Sequence, residues 1–216
     1  MFTHCDDLGG GSHSRTRNAN GPKKRIMSLM PTHTESLKDH FLIATPALSG
    51  GFFAKSLTYI CEHNALGAMG IVVNQPLDIP LTEIFEQLEL DTQHCTTDQA
   101  VLAGGPVHME HGFLLHDLAG SWESTIQIGS DIWLTTSKDM LAAIANGDNT
   151  GKTLVALGYA GWSAGQLEDE LADNAWLTVP ADAEILFETP YDKRLQAAGR
   201  RLGIDIHLMS NTAGHS

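Results

Sequence analysis

Short strand-like runs outnumber helical ones along this chain, and the two kinds do not alternate. Eleven segments are either apolar throughout or alternate with period two: "FLIAT", "SLTYICE", "GIVVN", "VLAG", "GFLLH", "TIQIG", "IWLTT", "TLVAL", "WLTV", "ILFE" and "IDIHLM". Only four stretches carry a helical pattern. Leu81, Ile84, Phe85 and Leu88 form one apolar stripe behind Pro80. Ser137 stands where it would cap a helix bearing Met140, Leu141 and Ile144 and ending at Gly147. A third helix follows Ser163. The fourth has Thr189 as cap, Pro190 in the first turn, Leu195, Ala198 and Leu202 inward, and Gly203 as stop. A doubly wound parallel sheet needs strand and helix in turn, so it is disfavoured. The pattern predicts an α+β fold with a curled, largely antiparallel sheet and about four helices. Ile128 and Ile132 flank Gly129-Ser130-Asp131, which predicts a tight hairpin.

Residues 1–34 differ from the rest. "GGGSHSRTRNANGPKKR" is polar, basic and without apolar period, so too little surface could be buried there to offset the entropy of ordering. The expectation is a disordered basic leader or non-native extension over 1–34, with Met27 or Met30 nearer the natural start, and a single domain over 35–216. Residues 26–216 carry 8 basic and 24 acidic groups, a net −16. A body that acidic repels phosphate backbones, so direct nucleic-acid binding is not expected. Cys5, Cys61 and Cys95 are odd in number and lack paired spacing, and no apolar run is long enough to span a bilayer. A cytoplasmic protein without a membrane segment is the expectation.

Gly161-Trp162-Ser163-Ala164-Gly165 matches the G-x-S-x-G of serine hydrolases, where a strand–turn–helix presents a nucleophile. Such a serine needs a downstream histidine backed by a carboxylate, and only His207 and His215 follow. Ser163-Ala164-Gly165-Gln166 is also S-x-x-Q, a capping box. In that reading Ser163 accepts from the Gln166 amide and the Gln166 side chain returns to the Ser163 amide. A cap of this kind is worth about 1 kcal/mol, and it accounts for more letters. Gly151-Lys152-Thr153 lacks the first glycine of a phosphate loop and leads into a strand rather than a helix. His108-Met109-Glu110-His111 fits neither zinc-protease spacing, and on a regular strand His111 and His116 point to opposite faces. No metal ligand set and no cofactor is expected. Cys61 and His63, two apart on one strand, are the one cysteine–histidine pair that strand geometry allows.

"FLIATPAL", "YICEHNALGAMGIVVNQPL", "GGPVHMEHGFLLH", "LVALGYAGWSAGQLEDELADNAWLTVPAD" and "LFETPYDKRLQAAGRRLGIDI" resemble, in order and spacing, the YqgE/AlgH family of bacterial cytosolic proteins. The resemblance runs from about Leu37 to the C-terminus. It implies an α+β domain whose bifurcated sheet curls into a pseudo-barrel. It implies no reaction, and it carries a label as transcriptional regulator that rests on alginate-related genetics. The chain departs from the family pattern at His111, where Arg is usual, and at Leu195, where Trp is usual. The family also tolerates other residues at the place of Ser163. Loop ends on a rigid sheet are where binding concentrates. The candidate binding residues are therefore Glu62, His63, Asn64, Asn74, Pro76, Gly104, Gly105 and Pro106, with Trp162 and Gln166 beside them. Three readings follow. The first is regulation through an unknown protein partner, without chemistry. The second is a small-ligand site or hydrolase where the three loop blocks meet. The third is DNA binding through Lys193, Arg194, Arg200 and Arg201 on the last helix.

Overall fold

A computed structural model describes residues 35–208 apart from 96, 98, 120 and 121, so the leader, Cys5 and His215 lie outside the described residues. Among the described residues there are ten strands: β1 His40–Ala44, β2 Leu57–Asn64, β3 Gly67–Val72, β4 Pro76–Pro80, β5 Ala100–Ala103, β6 Val107–His116, β7 Thr125–Gln127, β8 Trp133–Thr135, β9 Thr153–Ser163 and β10 Trp176–Pro180. The helices are α1 Leu81–Gln87, α2 Lys138–Ala145, α3 Gln166–Ala172, α4 Ala183–Phe187 and α5 Tyr191–Arg201. The sheet runs β10-β1-β2-β3-β9-β6-β8-β7, with β4 paired to β5 and β5 to β9. Among the described residues every pairing is antiparallel except β5 with β9. The result is the expected α+β fold, a curled antiparallel sheet forming a half-barrel.

The sheet divides at β9. On one edge, Ala160–Ser163 pair with β3 while Ala156 and Leu157 pair with β5; the other edge pairs with β6. Gly158 sits between the two halves at φ +73. A side chain there would be strained by that φ and would collide with the Gly105 carbonyl. One glycine thus lets a single strand serve two sheets.

Three apolar clusters result. Phe41, Ile43, Leu57, Tyr59, Ile71 and Leu154 fill the inside of the curl, closed by Leu186 and Ala198 from α4 and α5. Leu42, Ile60, Trp162 and Trp176 meet Leu167 of α3 on the opposite face of the sheet. Phe85 of α1 and Met140 and Ile144 of α2 cover Val101, Leu114 and Val155. The split follows from period two, since Phe41 and Ile43 face one way and Leu42 the other.

The helix stripes of α1 and α2 and the hairpin at 128–132, closed by the Ile128 amide on the Ile132 carbonyl at 2.9 Å, lie where the sequence puts them. Several local expectations are corrected. "ILFE" is helix α4, because the Asp182 carboxylate accepts from the Glu184 amide at 2.9 Å and starts a turn. A run of three apolar letters cannot by itself separate strand from buried helix. "IDIHLM" contains a 3-10 turn over Ile206–Leu208, not a strand. Ser137 and Thr189 make no capping bond, and α5 opens behind Pro190. Leu202 lies exposed at the end of α5 rather than inward. Strand β4 goes unread because prolines bound it at both ends.

Candidate functional site

The β2–β3 hairpin carries the first candidate block. A bulge inserts Cys61 between Ile60, opposite Gly70, and Glu62, opposite Met69. An extra residue reverses which face the following side chains take. Cys61 therefore points into the inner core, while His63 turns to α3; the expected Cys61–His63 pairing on one face is lost. Burial pushes the Cys61 thiol pKa up, which leaves a small apolar filler rather than a nucleophile. Glu62 and Asn64 border an open cleft of about 540 Å³, together with Leu66, Met69, Phe113, Tyr159 and an edge of Trp162. Asn64 Nδ2 donates to Glu62 Oε1 at 2.7 Å, and its Oδ1 accepts from the Leu66 amide at 2.7 Å. That turn holds Leu66 out into solvent, 86 % exposed.

On the other side of the hairpin, α3 is fixed by a polar network. His63 is buried, its Nδ1 accepting from the Leu37 amide at 2.8 Å and its Nε2 meeting Glu168 Oε1 at 2.8 Å. An Nδ1 that accepts carries no proton, so Nε2 is the donor and no lone pair is left for base catalysis. Burial works against ionisation of Glu168, yet bonds from its own amide and from His63 hold its carboxyl below the usual range. Glu170 Oε2 accepts from the indoles of Trp162 at 2.9 Å and Trp176 at 2.7 Å, and its Oε1 accepts from Gln166 Nε2 at 2.9 Å. Phe53 stacks on Trp162 and meets Trp176 edge-on. Trp162 and Gln166 thus brace the fold here.

Ser163 is the last residue of β9, and Gly165 at φ +78 occupies the N-cap of α3 without a side-chain cap bond. Half of the expected capping box forms. The Ser163 amide donates to Gln166 Oε1 at 3.0 Å, but the Ser163 hydroxyl donates to that same oxygen at 3.0 Å. It bridges strand to helix side chain rather than capping the helix.

Asn74–Pro76 lies at the opposite end of β3. Asn74 Oδ1 accepts from the Leu57 amide at 2.7 Å and its Nδ2 donates to the Lys55 carbonyl at 2.9 Å. Gln75 Nε2 reaches the Phe52 carbonyl at 3.0 Å. Pro76 opens β4. Gly104 and Gly105 are buried against the β9 backbone, where a Cβ on Gly105 would collide with the Tyr159 carbonyl group. Pro106 is exposed beside them. The Ala103 amide donates to the Gln75 carbonyl and the Val72 amide to the Gly104 carbonyl, both at 2.8 Å. Two of the three blocks therefore meet, as backbone supports, while Glu62–Asn64 stands at the far end of β3.

One cluster escapes strand-period reasoning. Val107 pairs with Tyr159 and Gly112 with Leu157, so residues 108–111 all stand opposite Gly158. This excursion gathers His108, Glu110 and His111, all exposed. His108 Nδ1 lies 3.3 Å and His111 Nδ1 3.2 Å from Glu110 Oε1, and the His108 ring stacks on Tyr159 at 5.9 Å. The Glu110 carboxyl is held below its usual range by its own amide and by His108. The register break is written in no motif; only Gly-Gly-Pro before it and Gly112 after it hint at irregular backbone. His116, by contrast, is buried between the Leu118 carbonyl and the Thr135 hydroxyl, at 2.9 Å from each.

The basic cluster of α5 is partly internal. Arg194 donates to the Thr189 carbonyl at 2.9 Å and the Val73 carbonyl at 2.6 Å, and burial lowers its guanidinium to about 10. Lys193 pairs with Asp192 and Arg201 with Asp182. No described helix is long and apolar enough to cross a membrane.

Comparison with known proteins matches this arrangement to one family. The AlgH-like family model covers residues 41–207. A UPF0301 protein of Saccharophagus degradans is 59 % identical over 84 % of this chain and 89 % of its own length. One from Chromohalobacter salexigens is 52 % identical over 84 % of this chain and all of its own. The solution structure of AlgH from Pseudomonas aeruginosa superposes with a TM-score of 0.71 at 46 % identity, over 87 % of this chain and all of that one. A crystal structure from Corynebacterium diphtheriae, at 19 % identity and a TM-score of 0.65 over 84 % of this chain and 95 % of its own, shares the fold. The chain belongs to the AlgH-like family.

Proposed function

We propose that this protein acts by binding a segment of a partner protein in the open cleft beside β3, and that it regulates through this contact in the cytosol without chemistry of its own. The cleft carries the reading. Its walls are the aromatic and thioether groups of Phe113, Tyr159 and Met69, its rim holds the protruding Leu66, and Glu62 supplies a carboxylate. Exposed apolar groups around a polar anchor are what a peptide side chain needs. The anchor is acidic and the chain carries a net charge of −13, so the segment that fits pairs a bulky apolar residue with Lys or Arg. A hydrolytic reading has less support, because Ser163 is bonded to Gln166 and both nitrogens of His63 are engaged. The cytosolic placement rests on three cysteines without paired spacing.

Selection from a displayed random peptide library tests the reading. Wild-type protein should enrich sequences with Lys or Arg beside a large apolar residue, and a Glu62→Lys, Leu66→Ser variant should not. Equal enrichment by both proteins, or none by wild type, would overturn it.

A further inference from the structure

We propose that His108, Glu110 and His111 form a three-ligand site for a divalent transition-metal cation of the zinc class, open on its remaining positions to solvent. Two donors on one such cation, each about 2.0–2.1 Å from it, stand about 3.0–3.4 Å apart when they occupy neighbouring positions. Both histidine nitrogens lie in that range from the same carboxylate oxygen, at 3.3 and 3.2 Å. The three ligand atoms all fall within 4.8 Å of one another. Imidazole with carboxylate is a donor set that suits zinc, nickel or copper over calcium or magnesium.

The backbone supplies a second and independent observation. A regular strand would send His108 and His111, three apart, to opposite faces. Here four residues stand against Gly158 alone, which turns both rings to one place. His108 is held at φ +48, in the left-handed region that costs a non-glycine residue energy. The exposed histidine–glutamate contacts within the trio are screened by water and return little of that cost. The His108 ring stacks on Tyr159 and meets the His111 ring edge-on at 5.2 Å, which orients the rings but leaves all three side chains exposed. A metal ion joins all three groups, which their mutual contacts do only weakly. The inference does not depend on what occupies the neighbouring cleft.

Zinc titration of the full chain in competition with a chromophoric chelator is the test, read beside thermal melting. Wild type should bind one equivalent saturably and melt at a higher temperature with zinc present. His108→Ala and His111→Ala should each weaken binding by about tenfold or more, and the double variant should abolish it. All variants should melt like wild type in chelator, since the three side chains are exposed. His4, His13 and His33 could also take zinc, so a variant lacking these three should keep the equivalent. Binding that persists in the double variant, is lost with His4, His13 and His33, or is unsaturable in wild type would overturn the proposal.

Discussion

Two histidine–carboxylate groups flank β9, one at its junction with α3 and one on the β6 excursion, and their surroundings give them opposite characters. At α3, His63 and Glu168 are bonded to each other and to backbone, and Glu170 binds two indoles and an amide. Every donor there has its acceptor, so the group is a brace. On the excursion, His108, Glu110 and His111 touch mainly one another and face water. Similar residue types therefore do structural work where burial and neighbours satisfy them, and stay available where a bulge lifts them off the sheet. Residue identity alone does not separate the two cases; the count of committed lone pairs and protons does.

The largest effect expected from this contrast is at Glu170. Glu170→Ala leaves the indole N–H groups of Trp162 and Trp176 buried at 6 % and 3 % exposure without their acceptor. Buried donors stranded in this way cost about 1–3 kcal/mol each, so the chain should lose about 3 kcal/mol or more. Glu170→Gln keeps an oxygen acceptor and should lose less. Urea unfolding followed by tryptophan fluorescence measures both. An unchanged midpoint for Glu170→Ala would mean that the α3 group is as unconstrained as the excursion, and the contrast would collapse.

The sequence makes one side of this contrast easier to read than the other. Strand faces follow from alternation, so period two alone sets Phe41 and Ile43 on one face of β1 and Leu42 on the other, while the core each meets comes from the fold. The α1 and α2 stripes are equally plain. What alternation cannot register is a residue inserted on one strand only. The bulge at Cys61 sends His63 to α3, and the excursion at 108–111 brings together histidines that a straight strand would separate. Gly104 and Gly105 read as a binding loop because glycine and turn residues mark loops, yet their small size is needed for backbone contact with Gly158 and Tyr159. Glu62 and Asn64 do border the cleft, but Tyr159 and Phe113, its aromatic walls, come from distant strands and could not be joined to them by spacing.

His116 provides an intermediate case, a buried histidine with neutral partners instead of a carboxylate. Burial lowers its pKa below the ordinary 6.5, against smaller opposing effects of the Leu118 carbonyl and Asp117. Above about pH 6.5 the ring is neutral in both folded and unfolded chains, and its contribution to stability is complete. As pH falls below that value, the unfolded chain takes up the proton first. Stability then declines at up to about 1.4 kcal/mol per pH unit until the folded-state pKa is reached. The unfolding midpoint of wild type should therefore fall more between pH 7.5 and 5.5 than that of His116→Asn, which lacks this linkage. Parallel pH profiles for the two proteins would show that His116 is no more confined than the exposed histidines.

The smallest stability effect is expected on the excursion, where it is the most discriminating. In metal chelator, replacing His108 and His111 together by Ala removes contacts that water already screens, and the change should stay within about 0.5 kcal/mol. His108→Gly has a different expectation: glycine accepts φ +48 without strain, so it should match or slightly exceed the stability of His108→Ala. Urea midpoints of the three variants measured side by side separate the two causes. A double alanine variant that loses as much as Glu170→Ala would make the excursion a second structural brace. A near-zero change leaves side chains held in a strained turn that folding does not require, the condition under which a residue is free to serve a ligand.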